Sequence, residues 1–116
     1  MRRAAMLLTV GLLTTALVPA FAGEMAGMHM AKSPADKAFM QSMHTMMKDM
    51  NVKPTGNPDK DFVLMMMPHH QGAIDMAKVE LQYGKDPEMR QLATDIVGAQ
   101  EKEIVEMKAW LAKHGK

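Results

Sequence analysis

Methionine and histidine side chains recur at helical spacing through the middle of this chain. The segment 34–51 contains no leucine, isoleucine or valine. Its apolar side consists of Phe39, Met40, Met43, Met46, Met47 and Met50. A second cluster follows as Met65-Met66-Met67-Pro68-His69-His70. Thioether sulfur is a soft ligand that suits Cu(I), and imidazole suits copper in either oxidation state. The pattern therefore predicts a copper site, with Cu(I) preferred.

The candidate ligands lie on two consecutive predicted helices. Met65 lies one turn before His69 and Met76 two turns after it, while Met66 lies one turn before His70. Packing the first helix against the second would bring several sulfur atoms close to imidazole nitrogens. The candidate metal ligands are His69, His70, Met66, Met65, Met76, Met43, Met47, His44 and Met40.

Two polar residues, Gln100 and Glu103, interrupt the apolar stripe of the third predicted helix. Polar groups that face a core need hydrogen-bond partners. A metal-bound histidine also needs its other ring nitrogen held by an acceptor. We expect Glu103, with Gln100 on the same stripe, to support the metal site in this way.

Each of these signals also has a plainer interpretation. A methionine stripe at helical spacing usually packs a core, and a buried histidine is usually a hydrogen-bonded core residue. Glu103 could instead pair with a lysine or arginine on a neighbouring helix. The density of methionine, 14 among the 94 residues that follow position 22, favours a role beyond packing. Spacing alone leaves both interpretations open.

A methionine- and histidine-rich tail, residues 23–33, precedes the first long helix. It carries Met25, Met28, His29 and Met30 within six residues, so a flexible segment could wrap three sulfurs and one imidazole around one ion. Ordering such a segment costs about 1–2 kcal/mol per residue in backbone entropy. We therefore expect a second, weaker copper site here. Oxidant scavenging and a simple linker are the alternatives.

The first 22 residues resemble a secretory signal peptide. Arg2 and Arg3 precede an uncharged apolar run, and the segment 19–22 ends in the small-x-small pattern of a cleavage site. We expect cleavage after Ala22 and a periplasmic protein that begins at Gly23. An uncleaved anchor is the alternative, but Gly11 and other residues interrupt the apolar run, which makes it marginal for a spanning helix.

The charges of residues 23–116 nearly cancel. Without Arg2 and Arg3, 12 basic side chains face 13 acidic ones. This balance gives no electrostatic case for nucleic acid or an anionic membrane as a partner. No cysteine is present, so a soft-metal site must use methionine and histidine.

Three long helices are predicted, each with a capping residue followed by proline. They run from 34 to about 51, from 58 to about 83 and from 87 to about 114, after the caps Ser33, Asn57 and Asp86. The second helix is apolar over a wide arc, which indicates a central element with partners on two sides. Pro68 inside it predicts a kink just before the histidine pair. No segment shows strand alternation, so residues 34–116 are predicted to form an all-α, antiparallel helical bundle domain.

Two segments resemble the bacterial family called domain of unknown function 305. The first is Asp61-Phe62-Val63-Leu64-Met65-Met66-Met67-Pro68-His69-His70-Gln71-Gly72-Ala73-Ile74-Asp75-Met76-Ala77. The second runs from Asp86-Pro87-Glu88 through Gln100 and Glu103-Ile104 to Met107 and Trp110-Leu111. The resemblance as a whole covers nearly all of residues 36–114.

The resemblance implies a ferritin-like fold and a relationship to CopM-type periplasmic copper-binding proteins that support copper tolerance. The family's motif matches this chain at His69, His70 and the methionines that precede them. The resemblance therefore implies that these residues take part in the metal site. A ferritin-like bundle has four helices, and only three long ones are predicted here. The fourth side would come from the N-terminal tail or from a second copy of the chain.

The leading interpretation is a periplasmic protein, not an enzyme, that buffers or carries Cu(I) and contributes to copper tolerance. Expected partners are the copper ion, a second subunit in a homodimer and a protein that exchanges copper with it. A ferritin-like di-metal oxidase is one alternative, but its Glu-x-x-His motif is absent from the sequence. A helical module that binds a partner protein through an adaptable methionine-rich groove is the other.

Overall fold

Three α-helices joined by short connections make up residues 33–115, the part of the chain that this computed structural model describes. They are α1 (Pro34–Asp49), α2 (Pro58–Tyr83) and α3 (Pro87–His114). No strand occurs within these residues, so the predicted all-α class is confirmed. The expected signal peptide and nearly all of the tail, with its four candidate ligands, lie outside them.

The helices begin where the capping residues predict. The Ser33 hydroxyl accepts the Asp36 N–H at 3.1 Å, and the Asp36 carboxylate accepts the Ser33 N–H at 2.9 Å. This reciprocal pair satisfies two donors that a helix start otherwise leaves free. Asn57 and Asp86 cap α2 and α3 through the same kind of side-chain acceptor.

The first helix ends two residues earlier than expected. The Met50 N–H still bonds the Met46 carbonyl at 2.9 Å, but the Val52 N–H bonds the Met50 carbonyl at 2.8 Å. That short-range bond turns the chain out of the helix before Asn51. The second helix, in contrast, runs unbroken through Pro68.

Helix α2 is the central element, as its wide apolar arc predicts. It packs against both α1 and α3, whereas no Cα atom of α1 comes within 8 Å of one in α3. The Lys60 ammonium donates to the Gly115 carbonyl at 2.9 Å, which ties the start of α2 to the end of α3. At the opposite end the Arg90 guanidinium donates to the carbonyls of Leu81 and Gly84 at 2.7 and 3.1 Å. These contacts establish that α2 and α3 are antiparallel.

Small residues allow α1 and α2 to approach closely. The buried residue of α1 is Ser42, whose hydroxyl donates to the Ala38 carbonyl at 2.9 Å. Across the interface, Met46 lies directly over Gly72. A β-carbon built on Gly72 would lie 2.5 Å from the Met46 sulfur and 2.8 Å from its Cβ. A side chain at position 72 would therefore force Met46 to move.

The buried apolar core is small and made of short side chains. Ile74 is its largest fully buried member. Among residues 33–115 the buried apolar side chains are those of Val63, Ile74, Ala77, Val79 and Ala93. None of the helices within residues 33–115 is both long and apolar enough to cross a bilayer.

Hydrogen bonds to the Asp61 carboxylate hold the α1–α2 connection against the first turn of α2. Asp61 accepts the Thr55 hydroxyl at 2.6 Å and the Thr55 N–H at 2.8 Å. These two hydrogen bonds, the hydroxyl first, lower the pKa of Asp61 below its ordinary value of 3.8. A lowered folded-state pKa adds stability above the unfolded-state pKa, and that contribution is lost as the pH falls through the folded value.

Thr55→Val is therefore expected to raise the pKa of Asp61 towards its ordinary value. The substitution removes the hydroxyl donor and keeps the backbone one, so part of the depression should remain. A carboxyl-carbon NMR titration of Asp61 measures this directly. Thr94→Val is the matched control, because the Thr94 hydroxyl bonds the Arg90 carbonyl at 3.0 Å. A pKa that is equal in parent and Thr55→Val protein would contradict the assignment.

Candidate metal site

The buried histidine of α2, His70, has both ring nitrogens engaged. Nδ1 lies 2.8 Å from the Met66 carbonyl, and Nε2 contacts the Glu103 carboxylate. The His70 side chain is 11% exposed and that of Glu103 is 54% exposed. The predicted contact between Glu103 and a histidine is thus present.

The hydrogen bonds of His70 assign different roles to its two nitrogens. A backbone carbonyl can only accept a hydrogen bond, so Nδ1 carries the hydrogen and donates the hydrogen bond to the Met66 carbonyl. A metal-binding histidine is commonly held in this way, with the other nitrogen left as the ligand. The supporting acceptor is therefore the Met66 carbonyl. Glu103, expected in that role, instead occupies Nε2, the atom that would bind a metal.

A cavity of about 510 Å³ opens beside this pair, between α2 and α3. We call it the α2–α3 cavity. Its lining combines thioether, imidazole, carboxylate and indole groups. The residues are Asp59, Phe62, Val63, Met66, His70, Glu103, Glu106, Met107 and Trp110.

The register of the antiparallel helices explains why these groups meet. Contact between His70 and Glu103 fixes one level of the α2–α3 interface. One turn before His70 on α2 is Met66, and one turn after Glu103 on α3 is Met107. In an antiparallel pair these two positions face each other at the next level. Both methionines line the cavity.

The predicted ligands of α1 lie mainly on its exposed side. Met40, Met43 and Met47 are 40, 39 and 65% exposed, and His44 is exposed too. Met46, which the ligand set left out, makes the close contact with α2 instead. His44 and Met47 line a surface hollow at the end of α1 together with Lys48, Met50 and Asn51.

The other predicted ligands of α2 lie in different environments and do not form one site. His69 is exposed, with its ring centroid 6.2 Å from that of His70 in an edge-to-face arrangement. Met76 lines a separate apolar groove between α2 and α3, beside Met89. Met65 is half-buried, as is Gln100 on α3. Of the predicted set, the α2–α3 cavity thus gathers Met66, His70 and Glu103.

Two aromatic and sulfur groups of this cavity were not predicted as site residues. Met107 and Trp110 stand in the α3 stripe, where sequence periodicity indicates only core packing. The signal that could have found them is their spacing from Glu103, one and two turns on the same face. Trp110 also stacks on His114, with ring centroids 4.6 Å apart.

The described part of the chain was expected to bind a metal through methionine and histidine, and it holds no compact group of histidine and carboxylate ligands. Within residues 33–115, no three histidine, aspartate or glutamate side chains converge closely enough to hold an ion. The donors that line the α2–α3 cavity are two thioethers, one imidazole and three carboxylates. Among these donors, the two thioethers suit a soft monovalent ion, whereas Mg²⁺ and Ca²⁺ are bound through oxygen ligands.

The fold and site define a class of small all-α proteins with a histidine and methionines on a central helix. The family model described as "Domain of unknown function (DUF305)" matches residues 11–113. The chain therefore belongs to the DUF305 family, which confirms the resemblance found in the sequence.

One similar protein is an uncharacterized protein of Acanthamoeba polyphaga mimivirus. It is 47% identical over 53 residues, which cover 46% of this chain and 35% of the viral protein. The chain thus spans about a third of the length of that relative.

Proposed function

We propose that this protein binds Cu(I) in the periplasm through methionine and histidine side chains, buffering or carrying the ion and contributing to copper tolerance. Support comes from the donor chemistry of residues 33–115 and from the signal-like segment 1–22. In this proposal copper is cargo that the protein holds and passes on.

The observation that best supports the proposal is the solvent exposure of the α1 methionines. Methionines chosen for packing are expected inside a core, but Met40, Met43 and Met47 are 39 to 65% exposed. Exposed apolar side chains that cluster on one surface call for a function, either a ligand or a partner. Sulfur atoms at the surface can be reached by an incoming ion without unfolding.

Selectivity for Cu(I) over Zn(II) follows from the same donors. Thioethers favour the soft monovalent ion, whereas structural zinc sites draw on thiolate, imidazole and carboxylate. The chain has no cysteine. We therefore expect the protein to retain Cu(I) in the presence of excess Zn(II).

The assembly that we propose is a ferritin-like bundle, completed by the N-terminal segment or by a second copy of the chain. Large apolar side chains are exposed on all three helices. Phe39 lies on α1, Phe62 on α2, and Met89 and Leu92 on α3. The same exposure favours the second candidate function, a helical module whose methionine-rich surface binds a protein, including one that exchanges copper.

Anaerobic titration of the purified protein with Cu(I), against a competing chelator of known affinity, tests the proposal. The parent is expected to hold Cu(I) tightly and Zn(II) weakly. The triple variant Met40→Leu, Met43→Leu, Met47→Leu is expected to bind fewer equivalents of Cu(I) with an unchanged helix content. Methionine-to-leucine exchange usually costs less than about 1.5 kcal/mol in stability.

The matched control is Met89→Leu, an exposed methionine of α3 outside the proposed surface. It should bind Cu(I) like the parent. A parent protein that holds Cu(I) no better than Zn(II) would contradict the proposal, and a protein ligand bound in its place would favour the partner-binding module.

A further inference from the structure

We propose that the tightest Cu(I) site is the α2–α3 cavity, where Met66, Met107 and His70 bind the ion and the indole of Trp110 forms one wall. This inference rests on the proposed function and names the site within it. Met107 and Trp110 are its new members.

The first argument is the arrangement of donors across two rigid helices. Met66 and Met107 come from facing positions of α2 and α3, one turn away from the His70–Glu103 contact. Sites built on paired helices hold their ligands more precisely than sites on loops. The exposed methionines of α1, in contrast, have no facing position on α3, because no Cα atom of α1 lies within 8 Å of one in α3.

The second argument is that a hydrogen bond already holds the His70 ring in one orientation. Its Nδ1–H donates to the Met66 carbonyl at 2.8 Å, which fixes the ring and directs Nε2 towards Glu103 at the cavity. Glu103 is 54% exposed, so its side chain can turn into solvent, take with it the proton that it shares with Nε2, and leave the Nε2 lone pair to an ion. The helix backbone does not need to move for this exchange.

The third argument is the charge and the aromatic wall of the cavity. Asp59, Glu103 and Glu106 line it along with the sulfur atoms. Carboxylates around a recess raise the local concentration of cations. Trp110 presents an indole, the aromatic ring that attracts cations most strongly. One face of this indole is already covered by His114, so an ion in the cavity would meet the other face or the edge.

The chain contains a single tryptophan, so its tryptophan fluorescence comes from Trp110, which lines this cavity. We expect anaerobic titration of the protein with Cu(I), or with Ag(I) as a soft ion that does not cycle between redox states, to change the Trp110 emission. The change should saturate at one equivalent and coincide with the tightest binding class in chelator competition.

Met107→Leu and Met66→Leu are each expected to lower the affinity of the tightest Cu(I) site by about tenfold or more. This is the scale of losing one supporting group in a metal site. Both substitutions conserve volume, so the apo emission spectrum and helix content should stay close to those of the parent. Met89→Leu, on the same helix as Met107 but outside the cavity, should leave both the affinity and the emission change as in the parent.

The outcomes separate this inference from the proposed function. Tight Cu(I) binding that leaves Trp110 emission unchanged, or that survives in both Met107→Leu and Met66→Leu, would overturn the cavity assignment while the proposed function stands. A parent protein without tight Cu(I) binding would overturn both. Loss of the tight class in either cavity variant, with Met89→Leu unaffected, would support the assignment.

Discussion

Gly72→Ala is expected to lower the free energy of unfolding by about 1–3 kcal/mol, the usual cost of adding volume to a tightly packed interface. The new methyl group would lie 2.5 to 2.8 Å from three atoms of Met46. One of these atoms is the Met46 Cβ, which cannot move without its backbone, so α1 has to shift away from α2. Thermal unfolding measures the effect, and each kcal/mol corresponds to roughly 4–8 °C for a domain of this size.

Gly98→Ala is the matched control, because a β-carbon at that position would meet no atom within 4 Å. Both glycines lie inside helices. Alanine is favoured over glycine in a helix by about 0.5–1 kcal/mol, so Gly98→Ala should raise the melting temperature. The two substitutions are chemically identical and should act in opposite directions. Stabilisation by both would show that the α1–α2 contact is looser than described.

His70→Ala is expected to weaken the tightest Cu(I) binding by at least the roughly 10- to 100-fold that loss of a supporting hydrogen bond costs in metal sites. The reason is that His70 lines the α2–α3 cavity and has its Nδ1 proton held by Met66. Chelator competition under anaerobic conditions gives the affinity, and circular dichroism confirms that the helices remain.

His69→Ala provides the control, since it removes the same side chain from the neighbouring position. His69 is exposed, whereas His70 is buried. We expect the His69 variant to bind the tightest Cu(I) equivalent nearly as the parent does. Equal losses in the two variants would mean that the pair acts as a unit, and a loss in His69→Ala alone would place the site on the exposed side of α2.

The helix boundaries could be predicted because they depend on local chemistry. Ser33, Asn57 and Asp86 each stand before a proline, and each accepts backbone N–H groups of the first turn. A cap and the following proline act within four residues, so a single sequence contains all that is needed. The end of α1 was predicted less well, since it depends on a turn between Met50 and Val52.

The candidate site could be predicted only in part, because it depends on which faces of the helices meet. A polar residue in an apolar stripe indicated that Glu103 needs a partner but left a histidine, a lysine or an arginine open, and in the structure Glu103 contacts His70. Which histidine and which nitrogen depend on the register of α2 and α3, which no local pattern encodes. Helical periodicity likewise placed Met40, Met43 and Met47 on one face but could not show that they are exposed while Met46 packs against α2.

Among the three helices of residues 33–115, α1 packs against α2 and has no Cα atom within 8 Å of α3, and this has a consequence for the way these helices separate. A helix held by one neighbour forms the end of a linear stack, and its protection against solvent exchange depends on that single interface. Transient detachment of α1 would expose the backbone of α1 and the Gly72 side of α2 while α2 and α3 remained paired. Amide hydrogens of α1 should therefore exchange through a low-energy opening, and those of α2 through the unfolding of the whole domain. We therefore expect the α1 side and the α3 side of α2 to belong to different cooperative units.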